Sequence, residues 1–129
     1  MTKILIVEDQ PDIRNLISMT LEFGNFSLFE AEDGKEGLAM VQRVLPDIVL
    51  LDVMMPGELD GYQVCERIKR EPDTRATKVI MLTARGQRAD LQAGTDAGCD
   101  AYLVKPFSPL QLIETVERLV GPLGAAQPS

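Results

Sequence analysis

Five short apolar runs punctuate the chain: KILIV at 3 to 7, FSLFEA at 26 to 31, DIVLL at 47 to 51, KVIML at 78 to 82 and AYLVK at 101 to 105. Each has strand length and is rich in branched aliphatic or aromatic residues, so each predicts a strand. Helical periodicity fills the intervals. Ile13, Leu16, Ile17 and Leu21 share one face, with Gly24 as a stop signal. Leu38, Val41 and Leu45 repeat the pattern, then Val64, Cys65 and Ile68. After the last run Leu112, Ile113, Val116, Leu119 and Val120 make an amphipathic helix, with Ser108 placed to cap it and Pro109 in its first turn. The interval 86 to 97 has only Leu91 and several alanines for an apolar face and contains a glycine, so it predicts the least firmly packed helix. Alternating strands and helices predict an α/β fold: a parallel sheet with helices on both faces, joined by right-handed crossovers.

At 129 residues and 45% hydrophobic, the chain suits one compact domain. The domain is expected over 1–121, followed by a short flexible tail at 122–129. The formal charge of -7 argues against a nucleic-acid or anionic-membrane binder, which needs a basic face. The basic cluster RIKR, Arg67 to Arg70, fits the last turn of a helix, where the dipole favours cations. Cys65 and Cys99 have no metal-ligand spacing and read as packing residues in a reducing compartment. The N-terminus MTKILIVEDQ has too short an apolar stretch for a signal peptide, and no run reaches membrane-spanning length, so a cytoplasmic protein is expected. Histidine is absent, which removes Ser-His-Asp and Cys-His catalysis and imidazole metal sites. Chemistry is left to carboxylates, hydroxyls, Lys105 or a metal.

In an open parallel sheet the crevice lies at the carboxyl ends of the strands, so the residues just after each apolar run mark the site. Glu8 and Asp9 follow the first run, Asp52 the third, Thr83 and Ala84 the fourth, while Lys105 ends the fifth before Pro106. Each has an ordinary explanation taken singly: Asp9 as a helix cap, Asp52 as a turn former, Thr83 as a strand-end hydroxyl, Lys105 as a solvated cation. Their convergence on one edge points further. Three neighbouring carboxylates repel, so they take up a proton or bind a cation, and oxygen donors of this kind suit Mg²⁺. With a lysine and a hydroxyl they match the equipment of phosphoryl transfer, and Asp52 is the candidate acceptor, as carboxylates do form acyl phosphates.

These residues resemble the receiver domain of two-component response regulators over about 3 to 120, through ILIVEDQPDIR, DIVLLDVMMPGELDG, VIMLTA and AYLVKPFSP. The resemblance implies a flavodoxin-like, doubly wound five-stranded sheet in the order 2-1-3-4-5. It implies Asp52 as phosphoacceptor, Asp9 and Asp52 as direct Mg²⁺ ligands with the backbone carbonyl of Met54, and Glu8 acting on the metal through water. Thr83 and the Ala84 amide would bind phosphoryl oxygens, and Lys105, before a cis bond to Pro106, would pair with them. Tyr102 stands at the family's switch aromatic. The phosphoryl group would come from a sensor histidine kinase or histidine phosphotransfer protein. Phosphorylation would draw Thr83 inward, turn Tyr102 and shift the helix at 86 to 97, while Met54 and Arg85 would flank and shield the phosphoryl group.

The motifs LTARG and KPFSP look most like receivers of DNA-binding regulators, yet Ala101, Leu91, Gln111 and Thr115 stand where their dimer carries charged pairs. A monomer or a weak, phosphorylation-dependent dimer is expected. Residues beyond Val120 are too few for an output domain, so the signal is expected to pass by contact with another protein. GELDG is one residue longer than the family's spacing, and a bulge is expected there. A haloacid-dehalogenase-type phosphatase would need an aspartate where Met54 stands, and a nucleotide-binding enzyme would need a Gly-rich loop after the first strand. A receiver-like binding module without the reaction would ordinarily lack an acid or the lysine, and here all are present.

Overall fold

A computed structural model describes residues 2–55, 57, 59–84 and 88–120. Strands and helices alternate throughout: β1 (Thr2–Val7), α1 (Pro11–Leu21), β2 (Phe26–Ala31), α2 (Gly34–Val44), β3 (Ile48–Asp52), α3 (Gly61–Arg70), β4 (Lys78–Thr83), α4 (Arg88–Ala97), β5 (Ala101–Val104) and α5 (Pro109–Val120). The strands form one parallel sheet ordered β2-β1-β3-β4-β5, the flavodoxin-like arrangement expected. β3 is central, and all five of its residues are buried. A strand covered on both faces must be apolar throughout rather than alternating, which is why IVLL reads as a continuous run.

Side chains along each strand point alternately to the two faces, and this divides the interior into two cores. Leu5, Val7, Val49, Leu51, Val79 and Met81 meet Val41 of α2 and Val64, Cys65 and Ile68 of α3. Ile4, Ile6, Ile48, Leu50, Ile80 and Leu82 meet Ile17 and Leu21 of α1 and Leu112 and Val116 of α5. Both thiols are free, and burial pushes the Cys65 thiol up to about 12, as suits a packing residue. Arg67, Lys69 and Arg70 do fall in the last turn of α3.

Helix starts refine the sequence picture. Ser108 caps α5 as expected: its Oγ accepts from the Gln111 amide at 3.1 Å, and Gln111 Oε1 accepts from the Ser108 amide at 2.8 Å. Asp9 is not a cap, since Gln10 holds that position in α1 and makes no side-chain capping bond. The carboxylate of Asp9 is thereby left for other work. Asp60 and Gln63 form a reciprocal box at α3, with bonds of 2.9 and 3.0 Å. Asp60→Ala should destabilise the protein by about 1 kcal/mol, measurable by urea unfolding, because the first turn beside Asp52 loses its acceptor.

α4 is described from Arg88, within the expected 86 to 97, and residues 85–87 lie outside the described ones. Between 92 and 97 only Gly94 and Ala97 are buried. Arg85, the side chain of Leu91, the expected tail at 122–129, Pro56, and Glu58 of the expected bulge also lie outside the described residues. Among the described residues no helix is long and apolar enough to cross a membrane.

Candidate functional site

Register decides what meets at the carboxyl edge of the sheet. Val7 lies opposite Leu51, Asp52 opposite Leu82, and Thr83 opposite Val104, so the residues ending or following four strands line one crevice. Backbone bonds hold this edge: the Glu8 amide donates to Ala31 O at 3.1 Å, Val53 to Leu82 O at 2.9 Å and Lys105 to Thr83 O at 2.7 Å. Asp52 is itself the last residue of β3, and Thr83 the last of β4. The acid is therefore anchored by the most buried strand while its oxygens open into the crevice.

Glu8, Asp9 and Asp52 each offer an oxygen, all within 4.8 Å of one another. Lys105 completes the group, its Nζ standing 2.7 Å from Glu8 Oε1 and 3.3 Å from Asp52 Oδ1. The Met54 amide donates to Asp52 Oδ1 at 3.2 Å, and the Gln10 amide to Glu8 Oε2 at 3.4 Å. Thr83 is buried and Ala84 exposed at the same edge. The Lys105-Pro106 bond is cis. Tyr102, opposite Met81 on β5, is 39% exposed and stands apart from the acids. Of the expected residues, Glu8, Asp9, Asp52 and Lys105 are joined by short distances, Thr83 and Ala84 share the edge by register, and Tyr102 lies on the flank.

Burial, then the bond to Glu8 and its charge, pushes the Asp52 carboxyl up to about 7, against the opposing pull of Lys105 and the Met54 amide. Burial would raise Glu8 as well, but bonds from Asp52 and Lys105, with the lysine's charge, outweigh it and hold Glu8 below its ordinary value. The cluster thus carries more negative charge than one ammonium offsets, and Asp52 ionises at higher pH than an ordinary aspartate as a result. A hard divalent cation suits such a site: the donors are carboxylate oxygens within reach of one another, and the excess charge is what Mg²⁺ would neutralise.

Two supporting residues escaped the sequence pattern. A Cβ on Gly61 would fall 2.5 Å from Asp52 O and 2.7 Å from Val53 Cα, so only glycine lets α3 start against the end of β3. Arg14 Nη1 donates to Glu8 O at 2.8 Å and fixes the turn after β1. The signal for Gly61 was present in the D-G-x-Q order of a capping box; nothing local marked Arg14.

A model of the response regulator receiver domain family matches residues 4–117. The chain is 45% identical over 119 residues to the transcriptional regulatory protein ResD of Bacillus subtilis, covering 92% of this chain and 48% of ResD. To the phosphate regulon transcriptional regulatory protein PhoB of Escherichia coli it is 40% identical over 128 residues, covering 97% of this chain and 56% of PhoB. The chain spans about half the length of these curated relatives. Among solved structures, a putative response regulator from Chloroflexus aurantiacus superposes with a TM-score of 0.86 at 34% identity, over 92% of this chain and 96% of that one. The chemotaxis response regulator CheY4 of Vibrio cholerae does so with a TM-score of 0.86 at 33% identity, over 92% and 98%.

Proposed function

Because the chain belongs to the response regulator receiver domain family, we propose that it accepts a phosphoryl group on Asp52 and signals through the conformational change that follows. The observation that carries this is the placement of Asp52: a buried, strand-anchored carboxylate, 3.3 Å from Lys105 and clustered with Glu8 and Asp9. The donor is a phosphohistidine on a sensor histidine kinase or histidine phosphotransfer protein, and this His-free chain only receives. An Asp52 oxygen attacks phosphorus, the phosphorus–nitrogen bond breaks, and the imidazole leaves with a proton.

Ionised Asp52 is the nucleophile, and a cation bound beside it would favour that form. Asp9, Asp52 and the Met54 carbonyl would hold Mg²⁺, with Glu8 acting through water; the ion supplies charge neutralisation at the acids and the transferring phosphoryl group. Lys105 moves from Glu8 toward the phosphoryl oxygens, and Thr83 and the Ala84 amide donate to them. An apolar groove of about 370 Å³ lined by Ile13, Leu16, Ala84, Lys105, Pro106 and Phe107 adjoins the crevice and offers the donor protein a place to rest.

The product is read by protein contact. Thr83 drawn toward the phosphate makes room for Tyr102 to turn inward, and α4, which buries only small residues along 92–97, shifts. Taking such an equilibrium from 1:99 to 99:1 needs about 5.5 kcal/mol, within reach of a new dianion with several charge-assisted contacts. This receiver domain acts as a cytoplasmic switch, a monomer or a weak dimer when phosphorylated, that turns over no external substrate and whose net charge of -7 disfavours nucleic-acid binding by the domain itself.

With Mg²⁺ and acetyl phosphate, intact mass should rise by one phosphoryl group that hydroxylamine removes, since the product is an acyl phosphate, and a chelator should prevent the gain. No gain with any small donor or partner kinase would replace this function with that of a reaction-free binding module. Repeated turnover of a phosphate ester would favour the phosphatase class.

A further inference from the structure

The restraints on the junction between α4 and β5 gather at one lysine. Lys69, in the last turn of α3, directs its ammonium to Thr77 O at 2.7 Å, Arg75 O at 3.3 Å and Asp100 Oδ2 at 2.8 Å. The same Asp100 oxygen accepts from the Val79 amide at 2.8 Å, and the Asp100 amide donates back to Val79 O at 2.8 Å. Above the lysine stem lies Gly98, whose φ of +94° favours glycine and where a Cβ would come 3.1 Å from Lys69 Cγ. The Gly98 and Cys99 amides close on Thr95 O and Gly94 O at 3.0 and 3.1 Å.

One node therefore ties the end of α3, the end of α4 and the first rung between β4 and β5. Its ion pair is only about one-fifth exposed on either side, so solvent and salt screen it less than a surface pair. Along 92–97 the helix buries only Gly94 and Ala97, with Cys65 Sγ donating to Ala97 O at 3.4 Å, so polar restraints at its end rather than a row of large side chains hold it there. From the node β4 and β5 run in register to Thr83 and Lys105 at the crevice.

We propose that Lys69 is a positioning residue that makes the α4–β5 junction a fixed pivot, so that a change at the crevice end moves α4 about this point instead of displacing the junction. The pivot's part in signalling rests on the phosphoryl-driven switch; its existence in the resting protein does not. An ammonium with three acceptors is the group that distinguishes this junction from an ordinary helix end, because each contact is charge-assisted.

Hydrogen exchange of the full chain tests it. In Lys69→Met, amides 98–101 should exchange about tenfold faster or more at rest, since local opening loses the three charge-assisted contacts of the ammonium. Phosphoryl incorporation should stay within about twofold, since Lys69 is remote from the crevice. After treatment with Mg²⁺ and acetyl phosphate, exchange should change within α4 but not at 98–101 in the wild type, and should spread to 98–101 in the variant. Unchanged protection at 98–101 at rest, or a loss shared evenly by α3 and β4, overturns the proposal. Should Lys69→Met not fold, Asp100→Asn keeps an acceptor for the Val79 amide and removes only the charge; about threefold faster exchange at 98–101 is then expected, and none overturns the pivot. If the wild type takes no phosphoryl group, the switch fails separately and the resting comparison alone decides the pivot.

Discussion

Asp52→Asn is expected to stabilise the metal-free protein at pH 8 by on the order of 2 kcal/mol while abolishing phosphoryl incorporation. A site residue whose loss strengthens the fold is one held in an unfavourable state, and the acid cluster supplies the reason. The folded-state carboxyl of Asp52 lies at about 7, above its ordinary 3.8. A group raised in this way favours the folded state at low pH, where it is protonated, and that advantage is lost as pH climbs through the interval between the two values. Each unit is worth about 1.4 kcal/mol, which sets a ceiling near 4 kcal/mol, and the opening of the Asp52 oxygens onto the crevice and relaxation around the new side chain keep the expected effect below it. Urea unfolding with a chelator present should show the two proteins alike near pH 4 and diverging toward pH 8. Mg²⁺ should then stabilise the wild type more than the variant. A variant less stable at pH 8 would mean that the ionised acid strengthens the fold.

Lys105→Met should act in the other direction. It removes the ammonium 2.7 Å from fully buried Glu8 and 3.3 Å from Asp52, leaving two buried acids without that countercharge. Breaking a buried pair from one side costs about 3 kcal/mol or more, because the remaining charge is uncompensated. The loss should be greatest at pH 8 and shrink toward pH 5, where the acids take up protons, and Mg²⁺ should restore part of it. Urea unfolding at both pH values, with and without the ion, measures this. An equal loss at pH 5 and 8 would assign the effect to packing of the lysine stem rather than to charge. Taken together, the two variants separate the sign of the charge from the size of the side chain.

Much of this was legible along the chain. The strands announced themselves as apolar runs because a sheet covered on both faces excludes polar side chains, and β3 is buried in all five residues. Topology then turned a list of strand-end residues into one crevice, and Glu8, Asp9, Asp52 and Lys105 do meet there. What stayed hidden depends on pairs of residues far apart in sequence. That Lys105 rests closer to Glu8 than to Asp52, that Arg14 fastens the Glu8 carbonyl, and that Lys69 reaches Asp100 are outcomes of packing with no local periodicity. Asp9 was legible as a cap and proved not to be one, because Pro11 at the start of α1 puts Gln10 in that position. Gly61 lay between these cases: its capping box could be read, but the 2.5 Å approach of a Cβ to Asp52 O belongs to the fold.

The contact between Lys105 and Glu8 spans 97 positions and so closes a loop around most of the chain. During synthesis the acids leave the ribosome early and the lysine late, after β4 and α4, with β5 the last strand to join the sheet edge. A nascent chain therefore exposes its acids for most of its elongation without the cation that tempers them. Competence arrives only once β5 has joined the sheet edge and brought Lys105 to the acids, which guards a partly folded switch against being set.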